Sequence, residues 1–229
     1  MYIVLSVRNV SPKGNKPQSK MNKEKIIKTT SLDETKAAKD PFSQFRLWFD
    51  EALGAKFYEP TAVTCATVSE DGRPSARIVL LKHFDEKGFV FYTNYESRKA
   101  KELEKTPMAA LVFWWDQFVR QVTIEGDVKK ISPEESDAYF QTRPRESQLS
   151  AWASCQSQVI ASREVLEERM RELEKKYENK EIPRPPFWGG YLVIPSLFEF
   201  WQGRAGRMND RLRYQKNPQG NWFIERLSP

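Results

Sequence analysis

The segment that decides the fold is TAVTCATVS at residues 61–69, followed by the turn EDGRPS and a second apolar run, ARIVLLKHF, at 76–84. Residues of high strand propensity keep alternating with short groups of turn residues along this part of the chain. Connections this short favour antiparallel pairing, because a parallel crossover needs a dozen or more residues. The pattern predicts a mainly β body, a barrel or a sandwich. Further strands are predicted at FVFYTN (89–94), AALVFWW (109–115), FVRQVTIEG (118–126), DVKKI (127–131), 191–201, 211–215 and 222–227.

Helices are predicted at the periphery of this sheet. The first has Asp40 as its N-cap and Pro41 at its first position, and its apolar residues recur at helical spacing. The third must end near Arg143, because Pro144 follows it. The predicted helices are DPFSQFRLWFDEALG (40–54), ESRKAKELEK (96–105), ISPEESDAYFQTR (131–143) and a segment from about 163 to 179.

The formal charge of +6 comes from the N-terminal segment, since residues 1–28 hold seven basic residues and one acidic residue. The rest of the chain is neutral overall, and it shows no continuous basic stripe of the kind that follows a nucleic acid backbone. We therefore expect a basic, disordered tail at 1–38, a single domain at 39–229 and no nucleic acid partner. Residues 1–23 have some features of a mitochondrial transit peptide but contain one arginine, so a cytoplasmic location is expected and a mitochondrial one is the alternative.

Several kinds of site are excluded by composition. Cys65 and Cys155 stand far apart and His83 is the one histidine, which makes a metal site of the usual ligand types improbable. No apolar run approaches the ~20 residues of a membrane-spanning helix. The nucleophile, phosphate-loop and dinucleotide motifs GxSxG, GxxxxGK and GxGxxG do not occur. If the protein is an enzyme, a bound cofactor is expected to carry the chemistry.

Three groups of polar residues suit an anionic ligand. The stretch FWQGRAGRMNDR (200–211) combines three arginines with a tryptophan, although a solvated basic loop would have the same composition. Arg98 and Lys99 lie in the first turn of a predicted helix, where the helix dipole already favours an anion. Tyr139 and Arg143 share one face of the next helix. For the first two groups, cations that simply face water are the alternative.

Nine ordered blocks resemble the pyridoxine (pyridoxamine) 5′-phosphate oxidase family, from about residue 40 to the C-terminus. The blocks are SARIVLLK (75–82), FYTNYESRKAKEL (91–103), RQVTIEG (120–126), YFQTRPRESQ (139–148), SCQSQVI (154–160), WGGY (188–191), EFWQG (199–203), RMNDR (207–211) and the closing RLSP. The resemblance implies an antiparallel split β-barrel of Greek-key type and a homodimer with FMN in clefts at the subunit interface. No membrane partner is expected, since the chain has no long apolar run.

The resemblance also implies the residues of the site. It assigns FMN contacts to Arg77, Ile78, Val79, Leu80, Tyr92, Thr93, Arg98, Lys99, Gln121, Gln156, Ser157, Trp201 and Arg211. It assigns the phosphorylated substrate to Lys82, Tyr139, Arg143, Ser147, Arg207 and Asn209, of which Arg207 and Asn209 are the candidates for catalysis. Arg77 and Lys82 are an odd number of positions apart and would face opposite sides of a regular strand.

The implied activity is the oxidation of pyridoxamine 5′-phosphate or pyridoxine 5′-phosphate by O₂ to pyridoxal 5′-phosphate, with release of H₂O₂, a step of vitamin B6 metabolism. Two features depart from the family pattern. Asn209 stands where the family usually has histidine, and no tyrosine occurs between Tyr2 and Tyr58, where the family's N-terminal flap offers one. An amide can form hydrogen bonds but cannot take up a proton near neutral pH. A non-catalytic or altered-specificity protein that binds FMN or pyridoxal phosphate is therefore the alternative.

Overall fold

A computed structural model describes residues 30–229 of the chain. The predicted transit signal and the first 29 residues of the predicted tail lie outside the described residues. The strands are β1 (Ala62–Val68), β2 (Pro74–Leu80), β3 (His83–Asp85), β4 (Gly88–Asn94), β5 (Met108–Trp115), β6 (Arg120–Lys130), β7 (Trp188–Gln202), β8 (Asp210–Lys216) and β9 (Trp222–Arg226). The helices are α1 (Pro41–Gly54), α2 (Arg98–Lys105), α3 (Pro133–Gln141), α4 (Arg145–Ala153) and α5 (Glu164–Lys176), with one 3₁₀ turn at Ala205–Arg207.

All nine strands belong to one antiparallel sheet with the order β2-β1-β5-β6-β7-β4-β3, and β8 and β9 continue from β7. The long strand β7 pairs with β6 along one side, while its other side pairs first with β4 and then with β8. The link from β2 to β3 curls the sheet. The Leu81 N–H donates to the carbonyl of Thr61, just before β1, and the Lys82 N–H donates to the Val90 carbonyl of β4, each over 2.9 Å, so this link joins the β1 side of the sheet to the β4 side. The predicted mainly β, antiparallel barrel is confirmed.

The structure corrects the predicted elements in three places. The run at 76–84 is two strands, because β2 ends at Leu80. The runs at 118–126 and 127–131 are the single strand β6, with an irregularity between Glu125 and Gly126. A Cβ on Gly126 would lie 2.0 Å from the Ile194 carbonyl oxygen, so only glycine allows this approach. Helix α4 was not predicted: Pro144 ends one helix and also caps the start of the next.

Helix α1 supplies much of the barrel core. Its start is as predicted, with the Asp40 carboxylate accepting a hydrogen bond from the Ser43 N–H over 2.8 Å. The ring of Phe45 is fully buried, with centroids 4.9 Å from those of Phe84 and Phe89 and 5.1 Å from that of Phe113. These aromatic contacts fix α1 against β3 and β4 at one end of the strand order and against the inner strand β5.

The last residues of the predicted tail also contact the body. Leu32 is 6% exposed and belongs to the core, and its N–H donates to the Asp210 carboxylate over 3.1 Å. The Arg226 guanidinium contacts both Glu34 and the Leu32 carbonyl. Residues 30–38 therefore pack against the barrel, and the division into a tail and a domain at residue 38 stays a prediction.

A second apolar cluster lies beside the barrel, where α3, α4 and α5 meet the start of β7. Phe140 of α3, Leu149 of α4 and Trp188 of β7 are buried in it, together with Tyr177 after α5 and Ile182. This packing holds α3 and α4 over the ends of β2 and β4, which positions their polar side chains around a cleft. Within residues 30–229, no helix has both the length and the apolar character needed to cross a membrane.

Candidate active site

A cleft of about 920 Å³ lies between the ends of β2 and β4, helices α3 and α4, and the start of β7. It brings together residues that are far apart in the sequence. All four of the predicted substrate residues that precede β7 line it, namely Lys82, Tyr139, Arg143 and Ser147. Four of the predicted FMN residues also line it, namely Leu80, Tyr92, Thr93 and Gln156.

Arg143 is the most informative residue of the cleft. Its Nη1 is buried and is the one buried side-chain nitrogen or oxygen among the described residues that has no hydrogen-bond partner. Burial lowers the pKa of the guanidinium, and the charge of Tyr139 opposes this effect. Buried polar groups nearly always have partners, so an unused donor at the edge of a cleft indicates a site for a ligand that accepts hydrogen bonds.

Aromatic rings form one wall of the cleft. The Tyr92 ring stacks on Tyr139 with centroids 3.9 Å apart and planes at 14°, and Trp188 lies parallel to Tyr92 at 5.4 Å and 11°. Burial and the neighbouring Tyr139 raise the pKa of Tyr92 to about 12, so its hydroxyl stays protonated at neutral pH. The wall is therefore uncharged and suits a planar ring.

A smaller cavity of about 370 Å³, which we call the α2 pocket, lies at the N-terminus of helix α2. Arg98, Gln156 and Ser157, three of the predicted FMN residues, line it, and Gln156 also lines the cleft. Lys99 is buried between the two cavities, where its ammonium donates to the side-chain oxygens of Thr93 (2.9 Å) and Gln156 (3.0 Å). Burial, with help from the charge of Arg77, lowers the pKa of Lys99 to about 8.

Glu102 connects the cations of the α2 pocket and was not predicted as a site residue. Its carboxylate accepts from Arg98 Nε over 2.8 Å and lies 3.3 Å from Arg77 Nη2, and it also accepts from Ser75 and Thr67. Burial raises the pKa of Glu102, but the bonds from Ser75, Thr67 and Arg98 outweigh burial and hold the pKa at about 2. The spacing of four residues from Arg98 on one helix face was the signal that could have identified it.

Two predicted FMN residues of β2, Ile78 and Val79, have side chains outside both cavities, and their assignment stays a prediction. Val79 is 8% exposed and belongs to the barrel core, while Ile78 is 61% exposed and lines neither cavity. Because β2 stands at one end of the strand order, residues 78 and 79 can offer a ligand the backbone edge of the strand. Strand β2 ends at Leu80, so the alternation of side chains between its two faces does not extend to Lys82. Lys82 lines the cleft, whereas Arg77 contacts Glu102.

Five more predicted site residues, on other elements than β2, line neither cavity. Gln121, Trp201 and Arg211 are direct neighbours on strands β6, β7 and β8, and Trp114 of β5 extends this row. Arg211 is held by the Glu199 carboxylate at 2.8 and 3.0 Å, which raises the pKa of Arg211. Arg207 and Asn209 lie in the turn between β7 and β8.

That turn has an unusual backbone. Gly206 and Arg207 both have positive φ, 66° and 62°, and the Arg207 side chain is exposed. A positive φ strains a residue other than glycine, so neighbouring contacts must hold the turn in place. One of them is the hydrogen bond that Asn209 Oδ1 accepts from the Arg204 N–H over 3.0 Å.

Several residues that line the cleft were missed by sequence reasoning. Four of them, Pro144, Ser150, Ala151 and Ser154, lie in or directly beside the missed helix α4, which brings small and hydroxyl side chains to the cleft. The missed residues are Asn94, Thr142, Pro144, Ser150, Ala151, Ser154 and Trp188.

The curled antiparallel sheet, with a cleft on its helical side that is lined by Lys82 and Arg143, defines a split β-barrel protein. Sequence comparisons identify the family within this class. Residues 49–177 match the family model described as pyridoxamine 5′-phosphate oxidase, and residues 188–229 match the pyridoxine 5′-phosphate oxidase C-terminal dimerisation region. The chain belongs to the pyridoxamine 5′-phosphate oxidase family, a family of oxidoreductases, and the resemblance found in the sequence is confirmed.

Similar proteins support the assignment. The chain is 61% identical over 200 residues to the pyridoxine/pyridoxamine 5′-phosphate oxidase of Gloeothece citriformis, covering 87% of this chain and 94% of that protein. It is 56% identical over 199 residues to the protein of the same name from Cupriavidus necator, covering 87% and 93%. Among solved structures, PhzG of Burkholderia lata, crystallised with tetrahydrophenazine-1-carboxylic acid, has a TM-score of 0.83 at 29% identity, covering 89% of this chain and all of that one.

The fold recurs in a more distant protein. A pyridoxamine 5′-phosphate oxidase-related, FMN-binding protein from Nostoc punctiforme has a TM-score of 0.67 at 20% identity, covering 83% of this chain and 98% of that one. At this identity the comparison concerns the fold alone, and it confirms the predicted split barrel.

Proposed function

We propose that the protein is an FMN-dependent oxidase that converts pyridoxamine 5′-phosphate and pyridoxine 5′-phosphate to pyridoxal 5′-phosphate. Two electrons pass from the substrate to O₂, which leaves as H₂O₂; the amine substrate also takes up water and releases ammonia. The single observation that carries the proposal is the meeting of Lys82, Tyr139, Arg143 and Ser147 in one cleft, where Arg143 has an unused buried donor. Family membership supports the same activity.

FMN is the cofactor of this proposal, and the described residues fit its phosphate. The N-terminus of helix α2 offers backbone N–H groups, and Arg98 and Lys99 stand in its first turn. Lys99 donates to neutral oxygens of Thr93, Ser97 and Gln156, so these contacts leave its charge to be balanced by an anion. Arg77 and Ser157 complete the group that holds the cofactor.

The protein acts as a homodimer in this proposal. The predicted residues Gln121, Trp201, Arg207, Asn209 and Arg211 line neither cavity of their own protomer. Four of the five fall in residues 188–229, the segment that matches a dimerisation region. We infer that these residues complete the site of the partner subunit, so that each active site draws on two protomers.

A bound flavin would supply the two-electron acceptor, and the chain supplies position and charge. Arg143, Lys82, Tyr139 and Ser147 hold the substrate phosphate. This contact fixes the pyridine ring, while the wall of Tyr92, Tyr139 and Trp188 excludes water from one side of the cleft. Fixing the reacting groups in this way can contribute roughly 7–11 kcal/mol at best. Arg207 and Asn209 of the partner close over the substrate.

The proposal is tested by assaying the FMN-loaded protein for pyridoxal 5′-phosphate and H₂O₂ in equal amounts. Arg143→Ala should raise KM for either substrate by a factor of ten or more, as expected for losing a charge-assisted contact worth about 1.5–3 kcal/mol. Arg163→Ala is the matched control, because Arg163 is exposed and pairs with Glu167 away from both cavities. Absence of product from the wild-type protein would overturn the proposal.

A second candidate function is a non-catalytic or altered-specificity protein that binds FMN or pyridoxal phosphate. The observation that favours it is the use of Asn209 Oδ1 inside its own turn, where it accepts from the Arg204 N–H. If this candidate is correct, Asn209→His should start turnover or change substrate affinity sharply. A wild-type protein that is already active, and that Asn209→His leaves unchanged, would exclude it.

A further inference from the structure

Trp188, at the start of β7, has no role in the sequence-based account of the site. It is 6% exposed and lines the cleft. The guanidinium carbon of Arg143 lies 4.5 Å from the centroid of its ring. The same carbon is 5.6 Å from the Phe140 centroid, so Trp188 is the closer of the two aromatic contacts.

The Trp188 ring is fixed from several directions. It lies parallel to Tyr92 and Tyr139, with interplanar angles of 11° and 4°, and the edge of Phe140 meets it at 5.2 Å. The Trp188 carbonyl accepts a hydrogen bond from Arg184 over 2.6 Å. A ring held in this way can define where a guanidinium rests.

The positive charges beside the α2 pocket and the positive charge of Arg143 in the cleft are stabilised in different ways. Arg98 and Arg77 are paired with the carboxylate of Glu102, whereas no carboxylate within residues 30–229 forms a salt bridge with Arg143. A carboxylate would occupy the N–H groups that a phosphate needs. An aromatic ring instead contacts the flat face of the guanidinium and leaves its N–H edge open for paired hydrogen bonds.

We propose that Trp188 is a positioning residue that orients Arg143 toward the phosphate of the substrate. This inference rests on the proposed function, because it concerns the same phosphate site. The ring stabilises the buried cation without competing for its donors, so the loss of the ring should weaken phosphate binding and leave the chemical step nearly intact.

The test compares Trp188→Leu and Trp188→Phe with wild type and with Trp152→Phe. Trp152 belongs to the same helical region but does not line the cleft, and its indole N–H donates to the Pro183 carbonyl. The measurements are KM and kcat for pyridoxamine 5′-phosphate, the Kd of inorganic phosphate for the FMN-loaded protein, and the Kd of FMN.

Trp188→Leu should raise both KM and the phosphate Kd about tenfold, with kcat changed less than about threefold, since a desolvated cation–π contact can be this strong. Trp188→Phe should recover most of the loss, and FMN affinity and the Trp152→Phe values should stay near wild type. If Trp188→Leu does not fold, a phosphate Kd of Trp188→Phe between wild type and the Arg143→Ala value supports the proposal, and a value equal to that of Arg143→Ala contradicts it.

The outcomes separate this inference from the function on which it rests. A wild-type protein that binds neither phosphate nor substrate would overturn the proposed function and this inference together. Wild-type binding that Trp188→Leu does not weaken would overturn the role of Trp188 alone. If Trp188→Leu lowers kcat and FMN affinity but leaves the phosphate Kd unchanged, Trp188 has a merely structural role, and its proposed positioning role is overturned.

Discussion

The ammonium of Lys99 donates a hydrogen bond to Oε1 of Gln156, with nitrogen and oxygen 3.0 Å apart. This contact joins the first turn of α2 to the loop after α4, two segments separated by 57 positions in the sequence. Gln156 lines both the cleft and the α2 pocket. Lys99 therefore stands between the two cavities, where its charge acts on ligands in either.

The first prediction concerns the pH dependence of FMN binding. Burial, then the charge of Arg77, lowers the pKa of Lys99 to about 8, so in the free protein Lys99 is charged below that pH and neutral above it. FMN affinity should therefore fall as pH rises from about 7 to about 9. Lys99→Met should bind FMN at least about tenfold more weakly and without this pH dependence. The measurement is the quenching of FMN fluorescence.

Lys105→Met is the control for this prediction, because Lys105 is exposed at the other end of α2. It should keep both the affinity and the pH dependence of wild type. An unchanged pH dependence in Lys99→Met would show that another group is responsible.

The second prediction concerns stability in acid. The pKa of Glu102 is held at about 2 by the hydrogen bonds from Ser75, Thr67 and Arg98, which outweigh desolvation. A carboxyl whose folded pKa is depressed stabilises the protein above its unfolded pKa, and this contribution is lost as pH falls through the folded pKa, here from about 4.5 to about 2. Glu102→Gln should lower Tm at neutral pH, and its deficit should shrink as pH falls through this window.

Glu104→Gln provides the matched comparison for Glu102→Gln, since Glu104 is exposed on the same helix. Its Tm should follow that of wild type at every pH. A deficit of Glu102→Gln that stays constant between neutral pH and about pH 2 would contradict the assigned role of the charge.

The third prediction concerns the composition of the active site. Arg143 lines the cleft, whereas Arg207 lies in an exposed turn and lines neither cavity. If one site takes Arg143 from one protomer and Arg207 from its partner, Arg143→Ala and Arg207→Ala proteins should complement each other. Co-expression should restore about a quarter of wild-type activity, because half of the dimers are hybrids and each hybrid has one intact site.

Purified hybrids carrying two different affinity tags make the complementation test stricter. At a substrate concentration well below the wild-type KM, their activity should be about half that of wild type, while each parent variant keeps only a small fraction of it. Hybrids as inactive as their parents would show that Arg143 and Arg207 do not serve one site across the interface.

Much of the fold follows from local sequence signals. The alternation in Ala62–Val68 and the short turn after it were enough to predict an antiparallel sheet. Asp40 and Pro41 identified the start of α1, and Ser132 with Glu135 forms a capping box at the start of α3. The length of β6 could not be predicted, because its continuity depends on how Gly126 approaches β7 across the sheet.

Less of the site than of the fold could be predicted from the sequence. Family resemblance named Lys82, Tyr139, Arg143 and Ser147, but only the packing of α3 and α4 against the barrel brings them into one cleft. The spacing from Arg98 could have drawn attention to Glu102, but its contacts with Thr67 of β1 and with Ser75 and Arg77 of β2 follow only from the tertiary structure. Only the tertiary structure shows that Arg207 and Arg211 do not line the cleft of their own protomer. This observation is the reason why we propose a site shared by two protomers.

The most direct test of the central claim is anaerobic mixing of the FMN-loaded protein with pyridoxamine 5′-phosphate, followed by flavin absorbance. If the protein oxidises this substrate through the flavin, the visible absorbance should bleach in a single turnover and return when O₂ is admitted, with pyridoxal 5′-phosphate formed in proportion. A flavin that stays oxidised in the presence of excess pyridoxamine 5′-phosphate and pyridoxine 5′-phosphate would contradict the claim.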